Sequence, residues 1–225
     1  MQRRKNMKYL SPSLLDSFAY YISVRDDEQK EIKRKEIIDR LNGVKTPSTP
    51  AQIEGLNFEG AVYEACVLGK YKDKNQRYAD CVNEIADIVR GGAYQHAINI
   101  EVNGVRFFSL PDKPIAIDFI NVNTAYDVKT TSKYEVGKYQ FYNQHLVYLL
   151  ALRNEQIDNF MYLITDFKNV YKEFYQWKPS FGATLKSNMA EFFNYLTADN
   201  EMNTAYQNYC TKKDKEFQDI ALVSK

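Results

Sequence analysis

The residue types best suited to chemistry lie in two apolar runs between residues 115 and 131. Both runs are rich in β-branched and aromatic residues and a polar turn separates them, which predicts a β-hairpin. If the turn is centred on residues 122–123, Asp118 lies directly opposite Asp127. Side chains alternate between the faces of a strand, so Lys129 shares the face of Asp127. The sequence therefore predicts two acids and a lysine together on one face of the hairpin.

The other face of the predicted hairpin is apolar. The same register places Ile117 opposite Val128 and Phe119 opposite Tyr126. Four large apolar side chains on one face are typical of a strand pair that packs against a core. We therefore expect this face to point inwards and the charged face to carry the chemistry.

Two carboxylates that lie directly opposite each other destabilise a hairpin unless something compensates their charge. Directly opposed Cβ atoms in an antiparallel pair lie about 4.5–5.5 Å apart, so the two charges repel each other. A hard divalent cation reverses that preference because it binds carboxylate oxygens. A neighbouring lysine can orient a water or offset negative charge that develops on a phosphate. The residues Asp118, Asp127 and Lys129 thus favour metal-dependent hydrolysis of a phosphodiester.

A polar segment follows the hairpin and is predicted to be helical. Gln140, Gln144 and Tyr148 are spaced four residues apart, which places them on one helical stripe. A glutamine stripe is more often a polar surface than a functional site.

The order of these residues resembles a known family. Asp118, the D-x-K tripeptide at 127–129 and the Q-x-x-x-Y segment from Gln144 to Tyr148 are similar to the signature of the PD-(D/E)XK nucleases, most of all their RecB-type branch. The similarity covers residues 56–177. It implies an α/β fold with a restriction-endonuclease-like core, in which a central mixed β-sheet is flanked by helices and carries the site at one edge.

A glutamate on the helix predicted over residues 56–70 completes the acidic set. The residues three and four positions on either side of Glu64 are small or apolar, which predicts that it lies on the inward face. A buried carboxylate needs a partner, and a metal shared with the hairpin acids would supply one. The G-x-x-x-E pattern around Glu64 also resembles the first motif of the family. A shift of helical frame would exchange Glu64 for Glu59, and a glutamate that faces solvent is the remaining alternative.

The resemblance implies a metal-dependent deoxyribonuclease, an exonuclease of recombination, repair or phage DNA processing that uses Mg²⁺ or Mn²⁺. In this interpretation Lys129 orients or helps to deprotonate the attacking water. The residues expected to bind the metal are Glu64, Asp118, Asp127 and the Val128 carbonyl. The three acids are expected to act in catalysis together with Lys129 and Gln144. The residues expected to contact DNA are Gln144, Tyr148 and Lys133.

The dipeptide Pro111-Asp112 is a second possible match to the "PD" of the family name. Asp112 stands in a loop flanked by prolines, which is typical of a turn residue. Asp118 stands within a strand and pairs with Asp127 by register. We therefore expect Asp118 to be the functional acid.

Bulk composition limits the partners and the compartment. The chain has 225 residues and a net charge of +1, so any attraction for DNA must come from a local patch. Three well-separated cysteines without a C-x-x-C motif argue against a disulfide framework, a zinc site or an iron–sulfur cluster, although some RecB-type relatives carry four cluster cysteines. No apolar run suits a membrane span and no signal peptide is expected. These features predict a cytoplasmic protein, in a bacterial host if a phage encodes it.

The remaining pattern predicts one domain with helices at both ends of the chain. The elements expected outside the hairpin are helices within 11–22, 25–42, 80–92 and 180–220, a loop at 44–55, a strand pair within 94–114 that extends the central sheet, and strands at 159–167 and 169–177. His96 and His145 have no partner at metal-ligand spacing and are expected to be structural.

Two other classes of function stay open from the sequence. One is a module with a nuclease-like fold that binds nucleic acid or a protein partner without chemistry. The other is a structural or assembly protein whose hairpin acids are simply exposed. The partners expected for the nuclease are single- or double-stranded DNA, no membrane, and a second copy of the chain or a recombination or replication protein.

Overall fold

The structure is a computed structural model, and it describes residues 7–108 and 116–223. Contacts within it divide the chain into two compact units. Unit 1 contains the described parts of Met1–Thr46, Asn99–Ile115 and Pro179–Lys225, and unit 2 contains Pro47–Ile98 and Ala116–Lys178. Every residue of the predicted site lies in unit 2.

The described elements follow one another in an α/β order. They are β1 (Lys8–Tyr9), α1 (Pro12–Ser23), α2 (Asp27–Asn42), α3 (Pro50–Leu68), α4 (Gln76–Val89), β2 (Ala93–Ala97), β3 (Asn99–Val102), β4 (Val105–Phe108), β5 (Ala116–Asn121), β6 (Thr124–Thr130), α5 (Gln144–Ala151), a 3₁₀ helix (Leu152–Glu155), β7 (Asn159–Thr165), β8 (Val170–Gln176), α6 (Ser180–Ala198) and α7 (Asn200–Val223).

Unit 2 is built on a five-stranded mixed sheet in the order β2-β5-β6-β7-β8. Strands β6 and β7 are parallel, and the other pairs are antiparallel. This confirms the predicted mixed sheet flanked by helices. The prediction that the site lies at an edge of the sheet is wrong, because β6 is the middle strand. The acids of the hairpin lie instead within two inner strands, Asp118 in the first half of β5 and Asp127 at the centre of β6.

Helices cover both faces of this sheet. On one face, a buried cluster joins Phe58 of α3 and Ile85 of α4 to Phe119 and Leu163 of the sheet. On the other face, α5 brings the ring of Tyr148 to 5.8 Å from that of Phe160. The middle strands are therefore shielded on both sides, and polar side chains on them are partly removed from water.

Unit 1 contains a second sheet of three strands in the order β1-β4-β3. The Asn103-Gly104 turn joins β3 to β4 as predicted, and both turn residues have positive φ values, 51° and 73°. The strand pair predicted within 94–114 extends the central sheet only through its first residues, because β2 pairs with β5 whereas the hairpin of β3 and β4 belongs to the second sheet. Strand β4 pairs with β1 instead, and the chain changes sheet at the buried Ile98.

Helix ends follow capping chemistry. Helix α1 begins after Ser11, whose hydroxyl accepts the Leu14 N–H at 3.2 Å. Helix α2 ends at Gly43 in the left-handed conformation. The loop predicted over residues 44–55 ends early, because Thr49 and Gln52 form a capping box that starts α3 at Pro50. Within the described ranges, every helix is too short or too polar to cross a bilayer.

Candidate active site

The hairpin formed by β5 and β6 has the predicted register. Phe119 pairs with Tyr126 and Asn121 pairs with Thr124, so the turn is centred on residues 122–123. Ile117 and Phe119 are buried, which confirms the predicted core face. The backbone pairing between the two strands ends at Phe119 and Tyr126. Beyond that pair, a hydrogen bond from the backbone of β6 to a side chain of β5 connects the strands.

That side chain belongs to Asp118. Its Oδ2 accepts a hydrogen bond from the Val128 N–H at 2.7 Å. Burial raises the pKa of Asp118 well above its usual range, and repulsion from Asp127 and then Glu59 raises it further. An added positive charge would stabilise the ionised form of this carboxyl, because it would offset both the burial and the repulsion.

Asp127 is the buried acid of the hairpin, with 3% of its surface exposed. Its Oδ1 accepts a hydrogen bond from Nε2 of Gln144, and its Oδ2 lies 2.6 Å from Nζ of Lys129. Among the described residues, Oδ2 accepts no hydrogen bond of good geometry, so this atom relies on the ion pair. A buried carboxylate oxygen with spare acceptor capacity is suited to a cation.

Lys129 stays charged in this environment. Burial by itself lowers the pKa of Lys129, but attraction to Asp127 and Asp118 outweighs it and the net shift is upwards. Its side chain is 27% exposed, so the ammonium can still reach solvent or a ligand. A lysine with a raised pKa donates hydrogen bonds and supplies positive charge, whereas it is a poor proton acceptor. The protonated form suits the predicted orientation of the attacking water.

Gln144 is the first residue of α5 and reaches the hairpin from the helix. The Oη of Tyr148 lies 3.2 Å from the Nε2 atom that donates to Asp127. Tyr148 itself is buried, which does not favour the predicted contact with DNA, and its hydroxyl lies next to the amide of Gln144. Gln140 does not share a helical stripe with them, because the chain forms turns until Asn143.

Of the two candidate glutamates on α3, Glu59 is the one whose charge interacts with the hairpin residues. Glu64 is exposed, so the prediction that it lies on the packed face of α3 is wrong. Glu59 is half-buried and accepts a hydrogen bond from Tyr94 Oη at 3.2 Å. Burial raises the pKa of Glu59, and the charge of Asp127 adds to the shift while Lys129 opposes it. Glu59 therefore belongs to the same electrostatic cluster as the hairpin residues.

Four other predicted residues have simpler positions. Lys133 is exposed and paired with Glu135 at 2.7 Å. His145 is buried and stacks on Tyr175 at 4.1 Å; burial lowers its pKa to about 4. Nε2 of His96 lies 3.3 Å from Glu155. Asp112, the alternative acid, lies outside the described residues.

Sequence reasoning missed Glu173 on β8. Its buried carboxylate accepts hydrogen bonds from the Tyr134 hydroxyl at 3.0 Å, the Tyr139 N–H at 3.3 Å and the Tyr175 hydroxyl at 2.7 Å. Alternation along β8 puts Glu173 on the same face as Tyr171 and Tyr175, and that is the signal that could have identified it. Its role is to fix the segment that leads to Gln144.

The acids do not form a closed metal centre as they stand. In residues 7–108 and 116–223, no three His, Cys, Asp or Glu side chains lie close enough to hold a metal together. The donor set nevertheless suits a hard cation, because Asp118 is destabilised as an anion and Oδ2 of Asp127 has acceptor capacity left. The residues that would hold Mg²⁺ or Mn²⁺ are Asp118, Asp127 and the Val128 carbonyl, with Glu59 as the helix acid.

Comparisons with known proteins do not assign a family. No protein-family model matches the chain, and no curated protein matches it. Among solved structures, "Crystal structure of SSO0001" aligns with 11% identity over 82% of this chain and 75% of that chain, with a TM-score of 0.43. Rai1 from Scheffersomyces stipitis aligns with 15% identity over 96% of this chain and 62% of that chain, with a TM-score of 0.21. Neither likeness is strong enough to carry an argument about function.

Proposed function

We propose that this protein is a Mg²⁺- or Mn²⁺-dependent nuclease that hydrolyses phosphodiester bonds in DNA. One observation carries the proposal. Asp118, Asp127 and Lys129 are grouped on the β5–β6 hairpin, and α5 supplies Gln144 to the same carboxylate that Lys129 contacts. This arrangement combines oxygen ligands for a hard cation with a protonated amine for a phosphate.

The acidic residues account for the need for a cation. Repulsion among Asp118, Asp127 and Glu59 makes the fully ionised cluster unfavourable, as the raised pKa of Asp118 indicates. When bound, a divalent ion polarises the phosphate and acidifies a water. The carboxylates bind and orient that ion, and Lys129 limits the negative charge that they accumulate.

Lys129 has a direct role towards the substrate. Its ammonium holds a proton and is anchored by Oδ2 of Asp127. An anchored donor costs little reorganisation when charge develops on a phosphate oxygen, which is the basis of electrostatic catalysis. We assign Lys129 to orienting the attacking water or to stabilising that oxygen.

Gln144 positions the buried acid. Its Nε2 donates to Asp127, so the orientation of the carboxylate depends on the first turn of α5. Tyr148, one helical turn later, lies next to the same Nε2 atom and restrains the glutamine amide. Contact of Gln144 with DNA and of the exposed Lys133 with a phosphate belong to the same proposal.

The resemblance to RecB-type nucleases extends the proposal to an exonuclease of recombination, repair or phage DNA processing that acts in the cytoplasm. A direct test incubates the purified protein with linear and covalently closed circular DNA, each with EDTA, Mg²⁺ or Mn²⁺. An exonuclease degrades the linear DNA alone and only with metal. Degradation of both forms indicates an endonuclease, and degradation of neither contradicts the proposal.

A specific observation favours one alternative, a module that grips nucleic acid without cleaving it. Asp118 and Asp127 already have protein partners, Val128 N–H for the first and Gln144 with Lys129 for the second. A site satisfied in this way can persist without a metal. Binding of DNA by folded protein with no cleavage in either metal would support this alternative.

A further inference from the structure

The segment between β6 and α5, residues 131–143, is here called the connecting loop. It displays two large apolar side chains to solvent: Val136 is 94% exposed and Phe141 is 79% exposed. Single exposed apolar residues are common on protein surfaces. An aromatic side chain becomes informative when the backbone that carries it is fixed and lies next to a functional site.

The backbone of the connecting loop is fixed by consecutive turns. Lys138 N–H donates to Glu135 O at 3.1 Å, Gln140 N–H to Gly137 O at 3.1 Å, and Tyr142 N–H to Tyr139 O at 3.0 Å. The Lys138 ammonium adds a hydrogen bond to Thr131 Oγ1 at 2.6 Å, which ties the turns to the end of β6. Phe141 therefore projects from an ordered chain.

The same loop is anchored to the sheet through a buried acid. Glu173 accepts the Tyr139 N–H and the Tyr134 hydroxyl, and the ring of Tyr134 stacks on Tyr171 at 4.4 Å. Tyr139 is buried two residues before Phe141. The contrast between a buried Tyr139 and an exposed Phe141 shows that the fold holds one ring inside and directs the other outwards.

Phe141 stands close to the candidate active site. It precedes Gln144 by three residues, so their Cα atoms are separated by at most about 11 Å. This separation is short enough for neighbouring nucleotides of one strand to meet both residues. The loop also carries Lys133 and Lys138 against a single acid, Glu135, which is compatible with a nearby phosphate backbone.

We propose that Phe141 is a stacking platform for a base of single-stranded DNA, adjacent to the phosphodiester held at the hairpin. That this strand is the one cleaved rests on the proposed function. Aromatic rings bind bases of any sequence because every base has a π face, but the base must be unstacked from its neighbours. Bases inside a duplex are already stacked, so the site selects single-stranded DNA or a frayed end over duplex interior. Val136 has no π face and cannot serve in this way.

The test measures binding without cleavage. Equilibrium binding of a short fluorescent oligothymidylate and of a covalently closed duplex circle is recorded in EDTA for the wild type, Phe141→Ala, Phe141→Trp and Phe174→Ala. Phe174 is the matched control because it is an exposed phenylalanine of the same unit, on β8. Phe141→Ala is expected to weaken single-strand binding about tenfold, the usual effect of removing one base–aromatic stack. Phe141→Trp should retain it, and Phe174→Ala should leave it unchanged.

Three results would overturn the proposal: equal single-strand affinity for Phe141→Ala and the wild type, equal losses for Phe141→Ala and Phe174→Ala, or no single-strand binding by the wild type. Because Phe141 is exposed, thermal unfolding of its variants should match the wild type. The outcome is separable from nuclease activity. If Phe141→Ala alone loses single-strand binding and the wild type does not cleave DNA, the stacking platform is supported and the nuclease is rejected. If the wild type cleaves DNA and Phe141→Ala binds single strands as the wild type does, the nuclease is supported and the platform is rejected.

Discussion

The carboxylate of Asp118 accepts a hydrogen bond from the backbone N–H of Val128, with 2.7 Å between Oδ2 of Asp118 and the nitrogen of Val128. Val128 stands between Asp127 and Lys129, so this single hydrogen bond relates the acid on β5 to both functional side chains on β6. The bond lies where the ladder of paired backbone groups between the two strands has ended. The hairpin thus uses a side chain to hold its acidic end together against the repulsion of its own charges.

Replacement of Asp118 by Asn should stabilise the protein at neutral pH. The pKa of Asp118 is higher in the folded state than in the unfolded chain, so the ionised carboxylate disfavours folding, and the penalty grows as pH rises through the folded-state pKa. Asn removes that charge and keeps an oxygen for the Val128 N–H. Thermal unfolding at pH 7 should show a melting temperature a few degrees above the wild type. The difference should shrink as the pH falls and should be lost well below about pH 4, where the carboxyl is protonated in both states; a lower melting temperature at pH 7 would contradict this account.

Divalent cations should stabilise the wild type by relieving the same repulsion. A ligand that binds only the folded state raises stability by about 2.7 kcal/mol when its concentration is a hundred times the dissociation constant. We expect Mn²⁺ or Mg²⁺ to raise the melting temperature of the wild type relative to EDTA. Asp127→Asn combined with Asp118→Asn should lose the shift, since both carboxylates are gone. A shift of equal size in the double variant would place the cation elsewhere.

The two glutamates of α3 provide a matched pair. Glu59 is half-buried and interacts electrostatically with Asp127 and Lys129, whereas Glu64 is exposed. Glu59→Gln is expected to reduce metal-dependent cleavage by about tenfold or more, a typical effect of altering groups around a metal site. Glu64→Gln should cleave at the wild-type rate. Initial rates on one DNA substrate decide the matter, and the opposite ranking would restore Glu64 as the helix acid.

Gln144→Ala should lower the cleavage rate without unfolding the protein. The substitution removes the Nε2 donor to Asp127 and leaves that buried carboxylate to Lys129 alone. We expect a fall of about 10- to 100-fold in rate or in metal affinity. Tyr148→Phe should produce a smaller fall, because it removes only the hydroxyl near Gln144. Unchanged rates in both variants would show that α5 does not position the site.

The hairpin could be predicted from the sequence because its turn determines its register. Once residues 122–123 form the turn, Phe119 must oppose Tyr126 and the acids must share a face. The identity of the helix acid could not be predicted in the same way. Helix α3 has exposed apolar residues such as Leu56 and Val67 as well as a buried apolar face, so the pattern does not indicate which side faces the sheet.

The turns before α5 could not be predicted from the sequence for a different reason. Helical spacing extends back to Gln140, but Gly137 adopts a φ of 79° and the chain forms a series of turns until Asn143. The acceptor that anchors those turns, Glu173, lies on β8, more than thirty residues later in the chain. Local sequence patterns carry no information on such a distant partner, because only tertiary packing brings it to the loop.

The most direct test of the central claim compares the initial rates at which the wild type and Lys129→Ala degrade linear DNA in Mg²⁺ or Mn²⁺, with thermal unfolding as a check on folding. We predict that the wild type degrades DNA only when a divalent cation is present. The variant should remain folded and bind Mn²⁺, yet show no cleavage. Folded wild-type protein that leaves DNA intact in both metals, or Lys129→Ala that cleaves at the wild-type rate, would contradict the account.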